Sequence, residues 1–186
     1  PRSCSSAASD VYKRQGLGIS FLMAKSGLFI PANSTPIMPY YSYIYSDIGD
    51  EQSLEGNLST FSGHITRIKN ILDALNNKNG LSVVLLDEIG SGTDPEEGTA
   101  LAISLLKEFA DKSDLTMATT HYGDIKALKY RDERFENVSV SFDEESFQPT
   151  YTLNWGIPGR SNALSIAKKI GISEDIINLA TDYLKP

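Results

Sequence analysis

The sequence has few of the features that mark secreted, membrane-embedded or nucleic-acid-binding chains. It contains one cysteine, Cys4, which excludes a disulfide framework and indicates a reducing compartment, the cytoplasm. No apolar run approaches membrane-spanning length, so we expect no membrane partner. The net charge of −7 leaves no basic footprint for DNA or RNA, so any such contact is expected through other domains or partner chains.

The length of 186 residues suits one domain with a buried core. The first 15 residues, PRSCSSAASDVYKRQ, are polar, rich in Ser and Ala, and lack the apolar core of a secretory signal. They differ in composition and periodicity from the rest of the chain. We therefore predict that residues 1–15 are a non-native or disordered tail and that residues 16–186 form the folded domain.

The most informative stretch is SVVLLDEIGSGTD, residues 82–94. A short apolar run that ends abruptly in polar residues is typical of a strand buried on both faces of a parallel sheet. Ligands of open α/β sheets lie beyond the carboxyl ends of such strands, where this sequence places Asp87 and Glu88. One carboxylate can hold hydrated Mg²⁺ there beside a nucleotide, and the other can orient a water molecule. The alternative is that the two acids simply end the strand in solvent.

A helix start comes directly after the acidic pair and its turn. Asp94 can cap the helix, Pro95 suits its first position, and Glu96 and Glu97 suit the positive end of its dipole. Apolar spacing carries the helix to about Phe109. The strand, the turn and the helix therefore form a β–α unit, and the glycines of the turn allow backbone angles closed to other residues.

Two more polar groups accompany predicted elements. His121 lies after a short strand predicted over residues 115–120, and it is expected near the acidic pair if that strand is parallel to the first; a lone histidine is as often a surface residue. Apolar spacing also predicts a helix over residues 57–75. Ser59 and Thr60 in its first turn form an anion site, or they are simply good caps.

A glycine-rich phosphate loop is missing. No window matches G-x-x-x-x-G-K-[ST], whose amides and lysine cradle phosphates. Such a loop normally stands directly before a helix like the one predicted in GLGISFLMAKSGL, residues 16–28, which Gly27 closes. The domain is therefore expected to be N-terminally truncated. Further along, residues 135–142 and 149–153 are predicted as antiparallel strands, and Ser173 as the cap of a last helix.

The ordered series of these segments resembles the ATPase domain of the MutS family, and specifically the bacterial type 2 MutS proteins that lack the mismatch-reading module. Generic ABC-type ATPases carry an LSGGQ-type signature instead. The segments that carry the resemblance are SGLFIPA (26–32), DIGDEQSLEGNLSTFSGHI (47–65), LLDEIGSGTDPEEGTAL (85–101), TTHYGDIKALKY (119–130), ENVSVSFDEESFQPTY (136–151) and GIPGRSNALSIAKKIG (156–171).

The resemblance implies an α/β fold of the P-loop NTPase class, ABC-type or RecA-like. Such a fold is a three-layer sandwich with a mostly parallel sheet and an antiparallel extension. The resemblance also implies ATP and Mg²⁺ as cofactors. Asp87 is then the metal residue that holds Mg²⁺ through water, Glu88 activates the attacking water, and His121 is the switch histidine near the γ-phosphate.

The resemblance further implies a head-to-tail homodimer with two ATP sites between the subunits. Ser59 resembles the signature serine that reaches the γ-phosphate bound by the opposite subunit, and residues 90–94 resemble the loop that crosses the interface. The positions thereby assigned to nucleotide binding are Ser59, Thr60, Gly90, Ser91, Gly92 and Asp94.

The sequence leaves three functional interpretations. In the first, this is the partial ATPase domain of a protein whose ATP-driven dimer clamps branched DNA or stalled ribosomes. The fragment itself is then expected to be inactive, and nuclease chemistry is expected in an absent Smr domain. In the second, the chain is a non-enzymatic dimerisation module with a dead ATPase-like site. The third, an unrelated transporter ATPase, is disfavoured because STFSGH replaces the transporter signature.

Overall fold

The computed structural model describes residues 7–32, 35–48, 57–143, 149–159 and 163–184. None of the helices in these ranges combines the length and the apolar character that crossing a lipid bilayer requires. In chain order the helices and strands are α1 (Ala7–Lys25), β1 (Tyr43–Asp47), α2 (Asn57–Leu75), β2 (Ser82–Leu86), α3 (Pro95–Lys112), β3 (Leu115–Ala118), α4 (Gly123–Lys126), α5 (Leu128–Arg131), β4 (Val138–Phe142), β5 (Pro149–Trp155), α6 (Ala163–Ile170) and α7 (Glu174–Tyr183).

A parallel sheet of order β1-β2-β3 forms the centre of the fold. Every residue of β2 is buried, as its apolar run predicted. Val84 and Leu86 pack with α2 and α3 on one face, whereas Val83 and Leu85 pack with Phe21 of α1 on the other. Side chains alternate between the faces of a strand, so β2 supplies both cores. The three-layer α/β arrangement with a parallel sheet is therefore confirmed.

The two helices that cover one face begin where the sequence predicts. α2 has the predicted bounds, and Ile68, Ile71 and Leu75 are its buried residues in the core. α3 begins at Pro95, after the cap residue Asp94, whose carboxylate accepts hydrogen bonds from the next free backbone N–H groups. α3 continues three residues past the predicted end, to Lys112.

α1 covers the other face of the sheet. It ends at Lys25 and is followed by Gly27 at φ 71°, a left-handed closure that glycine adopts without strain. Phe21 packs edge-to-face on Tyr41, with ring centroids 4.9 Å apart. The helix begins at Ala7, before the predicted boundary at residue 16. Whether residues 1–15 are native stays a prediction.

The strands β4 and β5 pair antiparallel in a separate sheet, as predicted, with an irregularity between Val140 and Phe142. β5 extends two residues beyond its predicted end, to Trp155. At the start of α7, Ser173 occupies the N-cap position, but its side chain makes no capping hydrogen bond. The antiparallel extension predicted from the sequence is therefore confirmed.

The amino-terminal ends of β2 and β3 are joined by Asp114. Its Oδ2 accepts hydrogen bonds from the backbone N–H and the hydroxyl of Ser82, at 2.8 and 3.1 Å, and from Lys78. Partial burial acts to raise the pKa of Asp114, but these hydrogen bonds and the Lys78 charge outweigh it and hold the pKa below its usual range. The resulting stabilisation is present above about pH 4 and is lost as the pH falls through the lower folded-state pKa.

Candidate functional site

The acidic pair lies at the carboxyl edge of the parallel sheet. Asp87 comes directly after β2, and its backbone N–H donates to the carbonyl of Asp47 at the end of β1, at 2.9 Å. Its Oδ1 accepts a hydrogen bond from the Thr119 hydroxyl, just past the end of β3, at 2.9 Å. Asp87 is therefore tied to both neighbouring strands.

Glu88 has an exposed side chain and a strained backbone. Its φ of 41° lies in the left-handed region, and it is the one non-glycine residue with positive φ in the described part of the chain. Such a conformation costs free energy in a residue with a Cβ and persists only where the surroundings impose it. Here the Glu88 N–H donates to the Thr119 hydroxyl oxygen at 3.1 Å, and the next N–H, that of Ile89, donates to the Thr119 carbonyl at 3.1 Å. Strained backbones cluster at functional sites.

The turn after the acidic pair packs against α3. Gly90 and Gly92 have φ of 86° and 85°, which glycine alone adopts readily. A Cβ on Gly98 of α3 would lie 2.3 Å from the Gly90 carbonyl oxygen, so both glycines are required by the contact. The Tyr122 hydroxyl donates to the same oxygen at 3.0 Å. The turn is thus held in place from two sides.

Two further polar groups of residues 90–94 have local partners. Asp94 Oδ1 accepts from the N–H groups of Glu96 and Glu97 at 2.9 and 3.2 Å, so it caps α3. The Ser91 N–H donates to the Glu88 carbonyl at 2.9 Å. The nucleotide-binding roles of Gly90, Ser91, Gly92 and Asp94 stay predictions.

His121 lies after β3 at the same edge of the sheet and is exposed. Its ring lies against Tyr122, with centroids 4.3 Å apart. β3 ends at Ala118, two residues before its predicted end; beyond it, the Thr119 hydroxyl donates to Asp87 and the Thr120 hydroxyl accepts from the Tyr122 N–H. The sheet thus brings the acidic pair and His121 to one edge, as their positions after parallel strands predicted.

α2 reaches this edge from the side of β1. A small cleft is lined by Asp87, Glu88 and Ser91, and across it by Phe61 and His64 of α2. The first turn of α2 has a helical backbone. The side chains of Ser59 and Thr60 lie outside the described part of the chain, so their predicted contact with nucleotide stays a prediction.

A buried carboxylate joins α2 to β1. Asp47 is 1% exposed; its Oδ1 accepts from Arg67 Nε at 2.5 Å, and its Oδ2 lies 2.8 Å from His64 Nδ1. The sequence interpretation missed Asp47 and His64, and it also missed Thr119 and Tyr122. A signal was present, because all four lie in two segments that carry the family resemblance, DIGDEQSLEGNLSTFSGHI and TTHYGDIKALKY. Their hydrogen-bond partners are long-range and depend on the fold.

The side chains at this edge bear on which metal could bind there. Within the described ranges, no group of three or more His, Cys, Asp or Glu side chains is arranged to hold a metal ion. Asp87 lies directly after β2 at the carboxyl edge of the sheet, beside Glu88. Carboxylates so placed are compatible with Mg²⁺, which keeps several waters and binds through one or two carboxylates together with substrate phosphates.

Comparison with known proteins agrees with this geometry. The family model described as MutS domain V matches residues 4–186. The chain belongs to the MutS family. MutS domain V is a P-loop ATPase-type domain, which agrees with the parallel sheet and implies the use of a nucleotide.

The individual relatives are type 2 members of the MutS family. Endonuclease MutS2 of Synechocystis sp. is 57% identical over 183 residues, which cover 90% of this chain and 22% of the relative. Endonuclease MutS2 of Clostridium kluyveri is 47% identical over 174 residues, with 91% and 22% covered. The protein of that name from Halothermothrix orenii is 50% identical over 161 residues, with 87% and 20% covered. The chain thus spans about a fifth of the length of these MutS relatives.

Proposed function

We propose that this chain supplies the metal-binding and water-activating residues of a MutS-type site that hydrolyses ATP with Mg²⁺. The observation that carries the proposal is the pair Asp87 and Glu88 at the carboxyl edge of the parallel sheet, both hydrogen-bonded to Thr119. An acid pair that merely ended a strand in solvent would need neither the strained backbone of Glu88 nor a shared hydroxyl partner.

Each acid has one role in the proposed reaction. Asp87 holds the hydrated metal, and Mg²⁺, when bound, neutralises charge on the phosphate oxygens. Glu88 orients a water and accepts its proton as the water oxygen bonds to the γ-phosphorus. The bond from that phosphorus to the bridging oxygen breaks, which gives ADP and phosphate. His121 donates a hydrogen bond to the γ-phosphoryl oxygens.

The site is completed across a homodimer. Ser59 and Thr60 lie in the first turn of α2, where backbone N–H groups and the helix dipole favour an anion. In this proposal Ser59 reaches the γ-phosphate that the partner subunit holds, and the turn over residues 90–94 crosses between the subunits. ATP then closes the dimer, and hydrolysis reopens it.

The wider role belongs to a longer protein. Because the chain spans about a fifth of relatives named endonucleases, we propose that the complete protein is a cytoplasmic ATP-driven clamp. It acts on branched DNA and recombination intermediates, where it suppresses recombination, or on the ribosomal RNA of stalled ribosomes. With its net charge of −7, this chain is expected to leave nucleic-acid contacts, and any nuclease chemistry, to other parts of that protein.

The decisive experiment compares this chain with the complete protein. The 186-residue sequence contains no G-x-x-x-x-G-K-[ST] window, so it lacks the loop whose amides and lysine would hold the triphosphate for Glu88. We expect the 186-residue chain to bind ATP feebly and to show no measurable turnover, whereas the complete protein hydrolyses ATP only when Mg²⁺ is present. The measurements are steady-state phosphate release and equilibrium binding of a fluorescent ATP analogue.

One result would contradict the expected inactivity of the chain, and another would contradict the proposed function. A robust Mg²⁺-dependent rate for the chain alone would show that the phosphate loop is dispensable. A complete protein that binds no ATP would favour the second candidate, a dimerisation module with a dead ATPase-like site.

One observation bears on self-association, which both candidates require. Helices α6 and α7 have no buried residues in the chain on its own, although they carry several large apolar side chains. An apolar face of this kind, exposed in a monomer, is typical of a protein–protein interface. The exposed apolar residues of these helices and their ends are Ile166, Ile170, Ile172, Ile176, Leu179, Tyr183 and Leu184.

A pair of variants tests whether this face binds a second copy. Ile176→Asp places a charge on the exposed apolar face of α7, and it should weaken self-association at least tenfold because burying an unpaired carboxylate is costly. Asn178→Asp adds the same charge at an exposed polar position and should leave self-association unchanged. Sedimentation equilibrium of the complete protein measures the self-association of both variants. Equal association for wild type and Ile176→Asp would remove α7 from the interface.

A further inference from the structure

Thr119 contacts both members of the acidic pair. It is 3% exposed and lies just past β3, in contact with the segment after β2. Its hydroxyl lies 2.9 Å from Asp87 Oδ1 and 3.1 Å from the backbone nitrogen of Glu88. Its own N–H donates to the Leu86 carbonyl, and its carbonyl accepts from the Ile89 N–H, both at 3.1 Å. Thr119 therefore bonds to four successive residues, 86–89.

The direction of the two hydroxyl bonds is fixed by chemistry. A backbone N–H can only donate, so the Thr119 oxygen accepts from Glu88. The single hydroxyl proton is then left for Asp87 Oδ1, since a carboxylate only accepts. The hydroxyl thus serves one acid through its side chain and the other through its backbone.

We propose that Thr119 is a positioning residue that sets the metal-facing orientation of Asp87 and the left-handed backbone of Glu88 together. The proposal rests on the proposed function of these two acids. A metal-ligating carboxylate is oriented by the hydrogen bonds that it accepts, and removing such a bond typically weakens metal binding 10- to 100-fold. A single hydroxyl would therefore couple the acid that holds the metal to the acid that activates the water.

Thr116, within β3, offers a matched control. It is also 3% exposed, and its hydroxyl lies 2.6 Å from the Ser113 hydroxyl, at the end of β3 far from the acidic pair. Thr→Val at either position removes a buried hydroxyl while keeping the shape of the side chain. The two Thr→Val variants should lose similar amounts of stability. Only Thr119→Val should weaken metal binding.

The experiment compares Thr119→Val, Thr119→Ser and Thr116→Val in the complete protein. The readouts are Mn²⁺ affinity in the presence of ATP, followed by the electron paramagnetic resonance of free Mn²⁺, and the Mg²⁺ dependence of ATP hydrolysis. For Thr119→Val we expect about 10- to 100-fold weaker metal binding and a lower maximal rate, with metal-free ATP binding unchanged. Thr119→Ser keeps the hydroxyl and should restore the metal affinity and the maximal rate. Thr116→Val should match wild type in metal affinity and in maximal rate. In the 186-residue chain, hydrogen exchange at the Glu88 amide should accelerate in Thr119→Val alone.

The possible failures are distinguishable. If wild type hydrolyses ATP and Thr119→Val has the same metal affinity and rate, the positioning role is overturned while the proposed function stands. Thr119→Ser behaving like Thr119→Val, or Thr116→Val producing the same metal defect, also overturns the positioning role. A wild-type complete protein that neither binds Mn²⁺ with ATP nor hydrolyses ATP overturns the proposed function and the role of Thr119 with it.

Discussion

Replacing Glu88 by glutamine in the complete protein should slow ATP hydrolysis by about 100-fold or more while ATP binding persists. Glutamine keeps the size of the side chain and can hydrogen-bond a water, but it cannot accept the proton of that water. ATP that is bound but not cleaved should hold the dimer closed. Steady-state phosphate release measures the rate, and size-exclusion chromatography with and without ATP measures the dimer.

A matched substitution separates the role of Glu88 from the loss of a surface charge. Glu108 is exposed near the end of α3, where it pairs with Lys112 at 2.9 Å. Glu108→Gln makes the same chemical change far from the acidic pair and should leave the rate within about twofold of wild type. Unchanged hydrolysis in Glu88→Gln, or an equal loss in Glu108→Gln, would refute the assignment of Glu88.

Much of the fold could be predicted because its signals are local. The apolar stripe of α2 fixed its predicted bounds, and the Asp94-Pro95 cap fixed the start of α3. The sequence also predicts that β2 is buried on both faces, since an unbroken apolar run leaves the strand without a polar face for solvent. The extent of α1 was missed, because residues 7–15 carry no apolar periodicity.

The candidate site could be predicted only in part. Asp87 and His121 were placed at one edge because both come after strands of a parallel sheet, which needs only the order of the elements. The hydrogen bond from Thr119 to Asp87 joins residues 32 positions apart in the sequence. The contacts of the buried Asp47 carboxylate join residues 17 and 20 positions apart. Such partners depend on strand register and helix rotation. The left-handed backbone of Glu88 has no local signal either, since its residue type disfavours that conformation.

The burial of Asp47 leads to a large expected effect on stability. Arg67→Met in the 186-residue chain should lower the free energy of unfolding by about 1.5–3 kcal/mol, because the buried Asp47 carboxylate keeps His64 but loses a charged hydrogen-bond partner. For a domain of this size the unfolding midpoint should fall by roughly 3–12 °C. Methionine retains the apolar contacts of the arginine stem, so the loss reports charge rather than packing. Thermal and urea unfolding followed by circular dichroism measure it.

The double variant Asp47→Asn/Arg67→Met distinguishes a lost attraction from an uncompensated charge. If the cost of Arg67→Met is the buried charge left behind, then neutralising Asp47 should recover most of the lost stability, and the two substitutions should be strongly non-additive. Asp73→Asn, which removes one partner of an exposed pair with Lys69, should change stability by less than about 1 kcal/mol. A double variant no more stable than Arg67→Met would mean that the ion pair itself holds α2 against β1. The same helix carries Ser59, so the angle of α2 at the proposed ATP site would then depend on Arg67. In that case Arg67→Met in the complete protein should weaken the proposed ATP-driven dimer closure as well as stability.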